Sequence, residues 1–340
     1  MLMSIVEDFG NFSLLEYDYY RESCPQAEQI IRAVLQRQYE VRPNVAPALL
    51  RLGCDASVLL DPDEGIESEK ESPPNETLKG FEVIDLIKSA LEEVCPGVVS
   101  CADIIVLAAR DCVILAGGPF YPLYTGRKDS TLAYKEVATN ELPSPHDDLP
   151  KTLALFASRG FNERETVSLL GAHSIGMIHC KFFYNRLFNF SGTEAPDPSL
   201  DLDFLNIMRM KCNNTNKPSG SLSSTSLSSS FAASPTSNFD ALSPTSSPSP
   251  EEPGMEMDYE GVKENFGTLY YRSLLQGRGI LHVDQQLTVR EETADWVRAY
   301  SSDASLFRRD FATVMMKLSN LRVLTAPMGQ VRLKCSKVAY

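Results

Sequence analysis

Cysteine placement constrains this chain more than any other feature. Cys24, Cys54, Cys95, Cys101, Cys112, Cys180, Cys212 and Cys335 are spread along nearly the whole length, and no two form a Cys-x-x-Cys pair. Zinc sites are usually built from such pairs, so a zinc centre is disfavoured. Long-range disulfides formed in an oxidising compartment fit better, and they demand a fold in which distant segments meet. Spacing alone does not say which cysteines pair. Asn-x-Ser/Thr tripeptides at Asn11, Asn75, Asn189 and Asn213 agree with secretion and glycosylation, although such tripeptides also arise by chance. Met1 to Glu16 points the other way: it has no basic start, carries Glu7 and Asp8, and offers no apolar stretch of signal-peptide length. The expectation is that a leader segment is missing from this chain.

The length of 340 residues, 43% of them hydrophobic, suffices for one large core or two modest ones. A net charge of −13 argues against nucleic-acid phosphates as partners. No run of apolar residues is long enough to span a membrane.

Helical periodicity is frequent and strand signals are sparse. After Pro25, the residues Ile30, Ile31, Val34 and Leu35 recur at helical spacing. Asn44 to Leu52 reads as a second, short helix, and Phe81, Ile84, Ile87 and Leu91 form an apolar stripe. Ser100 and Asp103 make a capping box for a largely buried helix that ends near Leu115, before Gly117–Gly118–Pro119. Asn162 and Glu165 start another helix, through Leu170, that heads towards His173; Ala294 to Tyr300 and Leu306 to Leu318 repeat the pattern. The fold class is therefore mainly α. Residues 218–253 differ: serine and proline make up more than half, and the only aromatics are Phe231 and Phe239. Such a segment buries too little apolar surface to offset its ordering entropy, so it reads as a disordered surface insertion that need not split the fold.

Taken alone, His173 is uninformative, because a histidine near a helix end is more often a hydrogen-bonded core residue than a metal ligand. Its setting, Gly171–Ala172–His173–Ser174–Ile175–Gly176 followed by Cys180, resembles the proximal motif of the plant class III secretory haem peroxidases. The resemblance extends along the chain. Tyr19–Tyr20–Arg21–Glu22–Ser23–Cys24–Pro25 is similar to the family's mature N-terminus. Gly53–Cys54–Asp55–Ala56–Ser57–Val58–Leu59–Leu60–Asp61 is similar to its distal calcium loop. Val99–Ser100–Cys101–Ala102–Asp103, Gly117–Gly118–Pro119, Gly126–Arg127–Lys128–Asp129, Asp284–Gln285, Phe311–Ala312 and Met316–Lys317 follow in the family's order. The resemblance implies a haem-peroxidase fold with two helical halves sandwiching haem b. Residues 1–16 would be a non-family extension and residues 17–340 the peroxidase domain, interrupted by 218–253.

Residue roles follow by position. The resemblance makes His173 the haem iron ligand and Asp284 the buried carboxylate that takes its other N–H, which raises electron density at the iron. Pro143 stands at the entrance for aromatic substrates. Gly53, Asp55 and Ser57 keep later ligands of the distal calcium, with Glu69 bound through water. Ser174 replaces the usual threonine at the proximal calcium, and Asp258 is a candidate there, because Phe266–Gly267–Thr268 stands where the family has Phe-Asp-Asn. Four or five oxygens at the distal site, where calcium prefers six to eight, imply weak binding or none. Disulfides by resemblance are Cys24–Cys95, Cys101–Cys335 and Cys180–Cys212; Cys54 and Cys112 remain, as a pair or as thiols.

On the distal side the family reads Arg-Leu-His-Phe-His-Asp-Cys-Phe-Val-x-Gly-Cys-Asp, whereas this chain reads Arg51–Leu52–Gly53–Cys54–Asp55. The missing segment holds the catalytic histidine, a pocket aromatic, two calcium ligands and the cysteine that would pair with Cys54. Arg51 and that histidine would lie one helical turn apart on the same face. The histidine would take a proton from hydrogen peroxide and return it to the leaving oxygen, while Arg51 stabilises the charge that develops. Asn75, which matches the asparagine that orients the histidine, has lost its object. Asp55 now lies four residues after Arg51, but an ion pair is its blander role.

The resemblance implies a secreted or vacuolar, monomeric peroxidase. It would use hydrogen peroxide to oxidise small phenolic donors by single electrons, in peroxide removal and the response to oxidative stress. Three readings remain: that enzyme, with this chain impaired; a haem-binding or structural pseudo-peroxidase without turnover; or a truncated or mis-spliced product that does not fold stably. The codons around the Leu52–Gly53 junction discriminate the last from the others.

Overall fold

The computed structural model describes residues 15–53, 56–215, 255–256 and 266–339. The proposed insertion at 218–253, Cys54, Asp55 and Asp258 lie outside the described residues. The helices fall into two groups. The first comprises α1 (Ala27–Val41), α2 (Val45–Arg51), α3 (Phe81–Val94), α4 (Cys101–Leu115) and α5 (Lys135–Glu141). The second comprises α6 (Leu149–Ala157), α7 (Glu163–Leu170), α8 (Tyr184–Phe188), α9 (Leu202–Thr215), α10 (Leu269–Leu275), α11 (His282–Gln285), α12 (Glu291–Ser302) and α13 (Ala304–Ser319). Strand content among the described residues is one small antiparallel pair, β1 (Met177–Ile178) with β2 (Met255–Glu256).

Helix α4 is the axis of the first group, and α1, α2 and α3 all pack on it. Apart from Ile114 and Leu115 its residues are buried, which is why its sequence is apolar on every side and not striped. By contrast α3 buries one face, through Val83, Ile84, Ile87 and Leu91, and leaves Leu86 and Val94 exposed. In the second group α7 packs on α12 and α13, and α10 on α12, around the rings of Phe266, Tyr270, Tyr271, Tyr300, Phe307 and Phe311.

The capping box expected at Asn162 and Glu165 is complete. That at Ser100 is half made. The Ser100 hydroxyl accepts the Asp103 N–H at 3.1 Å, but the Asp103 carboxylate does not return to the cap. It accepts instead from the Tyr20 hydroxyl (2.7 Å), the Gly126 N–H (2.7 Å) and the Arg127 guanidinium (2.9 Å), all of them buried. A fully desolvated carboxylate goes to whichever donors compensate it best, and a buried arginine outweighs a cap. Gly126–Arg127–Lys128–Asp129 is thus structural: Asp129 likewise accepts from the Ala102 and Arg332 backbones.

Among the described residues, three disulfides join Cys24 to Cys95, Cys101 to Cys335 and Cys180 to Cys212. The first two span 71 and 234 residues. On loop-entropy grounds they contribute about 4.4 and about 5.5 kcal/mol. Cys112 is a buried free thiol whose burial pushes its pKa up, so it is unreactive. Leu15 and Glu16, placed in the N-terminal extension from sequence, pack on the fold. Leu15 is buried and Glu16 pairs through its backbone with Thr125, a cross-chain contact that local composition does not encode. Asn75 is 8% exposed and its amide donates to the Glu69 carbonyl at 3.0 Å, which removes it as a glycan acceptor; Asn189 and Asn213 are exposed.

Candidate active site

Helix α7 gives way at Leu170 to a single 3-10 turn, Gly171–Ser174, which carries His173. Gly171 sits where a Cβ would lie 2.3 Å from the Tyr271 hydroxyl and 2.6 Å from the Phe307 ring, so only glycine lets the turn settle on the aromatic core. Replacing Gly171 with Ala should destabilise the fold by about 1–3 kcal/mol through overpacking. A lowered denaturation midpoint checks this.

The His173 Nδ1 lies 2.8 Å from Asp284 Oδ1, and the Asp284 carboxyl is fully buried. Tyr270 donates its hydroxyl to the same oxygen at 2.9 Å, while Asp284 Oδ2 is buried without a partner. Asp284 is fixed by its neighbour: the Gln285 amide donates to the Leu274 carbonyl and accepts from the Gly279 N–H, which clamps α11 to α10. The imidazole keeps 35% of its surface, and its outer nitrogen, Nε2, is neither buried nor bonded to a described group. Burial pulls the His173 pKa down, but the Asp284 charge and hydrogen bond outweigh burial, and the net direction is up; the charge of Arg51 opposes that rise. Arg51 is thus within electrostatic reach of the ring.

Arg51 ends α2. Leu52 caps the helix and Gly53 follows with φ +83°, the left-handed conformation in which glycine terminates helices. The guanidinium donates to the Thr77 hydroxyl (2.8 Å) and the Pro74 carbonyl (3.0 Å). It is solvent-accessible, yet enough protein surrounds it that burial lowers its pKa; a guanidinium stays charged all the same. The other end of α2 touches the loop after His173, with the Asn44 amide 3.1 Å from the Met177 sulfur and Pro47 against Gly176. Arg51 and His173 are therefore neighbours contributed by the two helical groups.

The other three histidines have neighbours of their own. His282 lies 3.5 Å from Asp197 and against Phe190, His146 is close enough to His282 to feel its charge, and His179 stacks edge-on to Phe182. Asn75 keeps its place nearby: with Nδ2 given to Glu69, its Oδ1 has no described donor. Pro143 is half-buried in a loop tied to α11 by the Val283 N–H to the Pro145 carbonyl (3.2 Å).

For the calcium positions, Ser57 donates to Glu69 Oε1 at 2.6 Å, and that oxygen also accepts the Tyr134 N–H. Among the described residues no group of three His, Cys, Asp or Glu side chains converges on a point. Ser174 differs: its hydroxyl oxygen is buried with no hydrogen-bond partner. An orphaned oxygen of this kind suits a hard cation. Tyr270 and Thr77 went unrecognised in the sequence. The signal for Tyr270 was a tyrosine in a fully apolar stripe, whose hydroxyl must find a partner.

The structure thus holds a clamped imidazole with an open Nε2, within electrostatic reach of an arginine from the other helical group. A family model described as Peroxidase matches residues 31–303. The chain belongs to the plant peroxidase family. Relatives from Arabidopsis thaliana include "Putative Peroxidase 48", 54% identical over 99% of this chain and 85% of the relative. Peroxidase 28 is 36% identical over 94% and 92%, and Peroxidase 10 is 37% identical over 96% and 87%. This peroxidase is accordingly mainly α, and no helix among the described residues is long and apolar enough to cross a membrane.

Proposed function

We propose that this peroxidase holds haem b through His173 Nε2, with Asp284 as the carboxylate partner, and acts on hydrogen peroxide and small phenolic donors slowly. The observation that carries the reading is the 2.8 Å contact between His173 and the fully buried Asp284, with Nε2 left open. Haem, when bound, supplies the exchange of electrons between peroxide and donor. The chain's own residues supply the rest. Asp284 fixes the imidazole tautomer and ring direction. Arg51 places a fixed positive charge where negative charge develops as the peroxide bond breaks. Asn75 Oδ1 offers an acceptor for which no described residue supplies a donor. Pro143 borders the donor entrance, and Ser174 contributes an oxygen to a proximal calcium. Secretion is supported by the three disulfides and the exposed Asn189 and Asn213 sequons.

Proton transfer is the weak step. Helix α2 stops at Arg51, so the turn that would carry a base is not built. The same observation favours the second reading, a haem-binding peroxidase homologue without turnover. Reconstitution of the full chain with haem tests both. The proposal expects a Soret band together with measurable but slow phenol oxidation. A Soret band with no turnover above free haem selects the second reading, and absence of haem uptake rejects both.

A further inference from the structure

A line of aromatic rings leads from His173 to the surface. The His173 ring lies 6.4 Å from Tyr270, Tyr270 lies 4.9 Å from Tyr271, Tyr271 lies 5.2 Å from Tyr300, and Tyr300 lies 6.0 Å from Trp296. The three tyrosines are fully buried, whereas Trp296, the single tryptophan of the chain, is half-buried at the end of the line. We propose that Trp296 is a second oxidation site, reached electronically through Tyr270, Tyr271 and Tyr300, for phenolic donors too bulky to approach His173. This rests on the reading of His173 as the haem ligand.

Proton handling along the line supports it. A phenol gives up an electron at a usable potential only when its proton has somewhere to go. The Tyr270 hydroxyl donates to Asp284, which holds this ring beside the imidazole at the start of the line. Tyr300 donates to Asp310 at 2.6 Å. Asp310 therefore takes the Tyr300 proton as the electron leaves and returns it on refilling. Tyr271 donates to the Val167 carbonyl, which accepts a hydrogen bond but not a proton, so this ring serves as a bridge between the other two.

At Trp296 the Arg164 guanidinium lies 4.4 Å over the indole ring and is held there by two bonds to Asp310, at 2.8 and 2.9 Å. A cation above the ring disfavours positive charge on it. The oxidised indole is thereby pushed to lose its N–H proton, and that N–H is neither buried nor donated to a described group. The balance is closed. One electron leaves Trp296 through the rings to the peroxide-oxidised haem, and one proton leaves to water. A bulky phenol then returns a hydrogen atom to the indolyl nitrogen and departs as a phenoxyl radical.

The test uses the full chain loaded with haem, without donor, in the presence of a nitroso spin trap. An aryl peracid serves as oxidant, because its carboxylate leaves readily and needs little help from a distal base. Peptide mapping by mass spectrometry should place a trap adduct on Trp296. Trp296→Phe should lose it, and Tyr300→Phe should weaken it while the Soret band is retained. A Soret band that responds to peracid with no adduct at Trp296, or an adduct indifferent to Tyr300→Phe, overturns the relay and leaves the haem site standing. A chain that takes up no haem overturns both.

Discussion

Inserting the family's eight residues, His-Phe-His-Asp-Cys-Phe-Val-x, between Leu52 and Gly53 should raise the rate of reaction with hydrogen peroxide by about 100- to 10,000-fold, the contribution typical of a positioned acid and base. The second histidine of the insert stands four residues after Arg51, one turn further along the same helical face. Helix α2 now ends there because Gly53 adopts φ +83° directly after Leu52; with eight residues interposed, that stop moves away from Arg51. The receiving site is still in place. Asn75 remains anchored through Nδ2 to Glu69, with its oxygen open to accept the N–H of an imidazole. Arg51 is held by Thr77 and Pro74 and needs no rearrangement to act beside the new base. The same insert with its second histidine changed to leucine rebuilds the helix without the base. It should recover stability but not rate, as rapid-mixing kinetics would show. Equal rates for the two inserts would mean that pocket closure, and not proton transfer, limits this peroxidase.

The second large effect lies on the other face. His173→Ala should abolish the Soret band of the reconstituted protein, because no other described histidine has a buried carboxylate clamp and an open Nε2 within electrostatic reach of Arg51. Asp284→Asn should be milder, costing roughly 10- to 100-fold in haem affinity or activity, as losses of such orienting partners do. It leaves Tyr270 with a poorer acceptor and the imidazole with a weaker pull on its proton. The two variants separate holding the iron from tuning it. Haem titration followed at the Soret maximum reads both. Normal uptake by His173→Ala would place the iron elsewhere.

Much of this was legible in the sequence, for identifiable reasons. Helices α1, α3, α12 and α13 follow from apolar spacing, and α7 from a capping box that the structure completes. His173 and Asp284 are found because short motifs carry them, although they lie 111 residues apart and nothing local says that they touch. What sequence could not supply was the destination of buried polar groups. Asp103 reads as a cap and becomes the acceptor for Tyr20, Gly126 and Arg127, since three buried donors compensate a desolvated charge better than one backbone N–H. Tyr270 belongs to no motif, and its bond to Asp284 emerges only from the fold. Gly53 matches a calcium-loop position, yet here it also acts as the stop of a shortened helix.

One measurement tests the central claim most directly: the resonance Raman iron–imidazole stretch of the reduced, haem-loaded natural chain. We expect a band that vanishes in His173→Ala and shifts to lower frequency in Asp284→Asn, as a bond from Nε2 to iron backed by a buried carboxylate requires. A haem-loaded chain with no such band, or with a band unmoved by Asp284→Asn, would contradict the account.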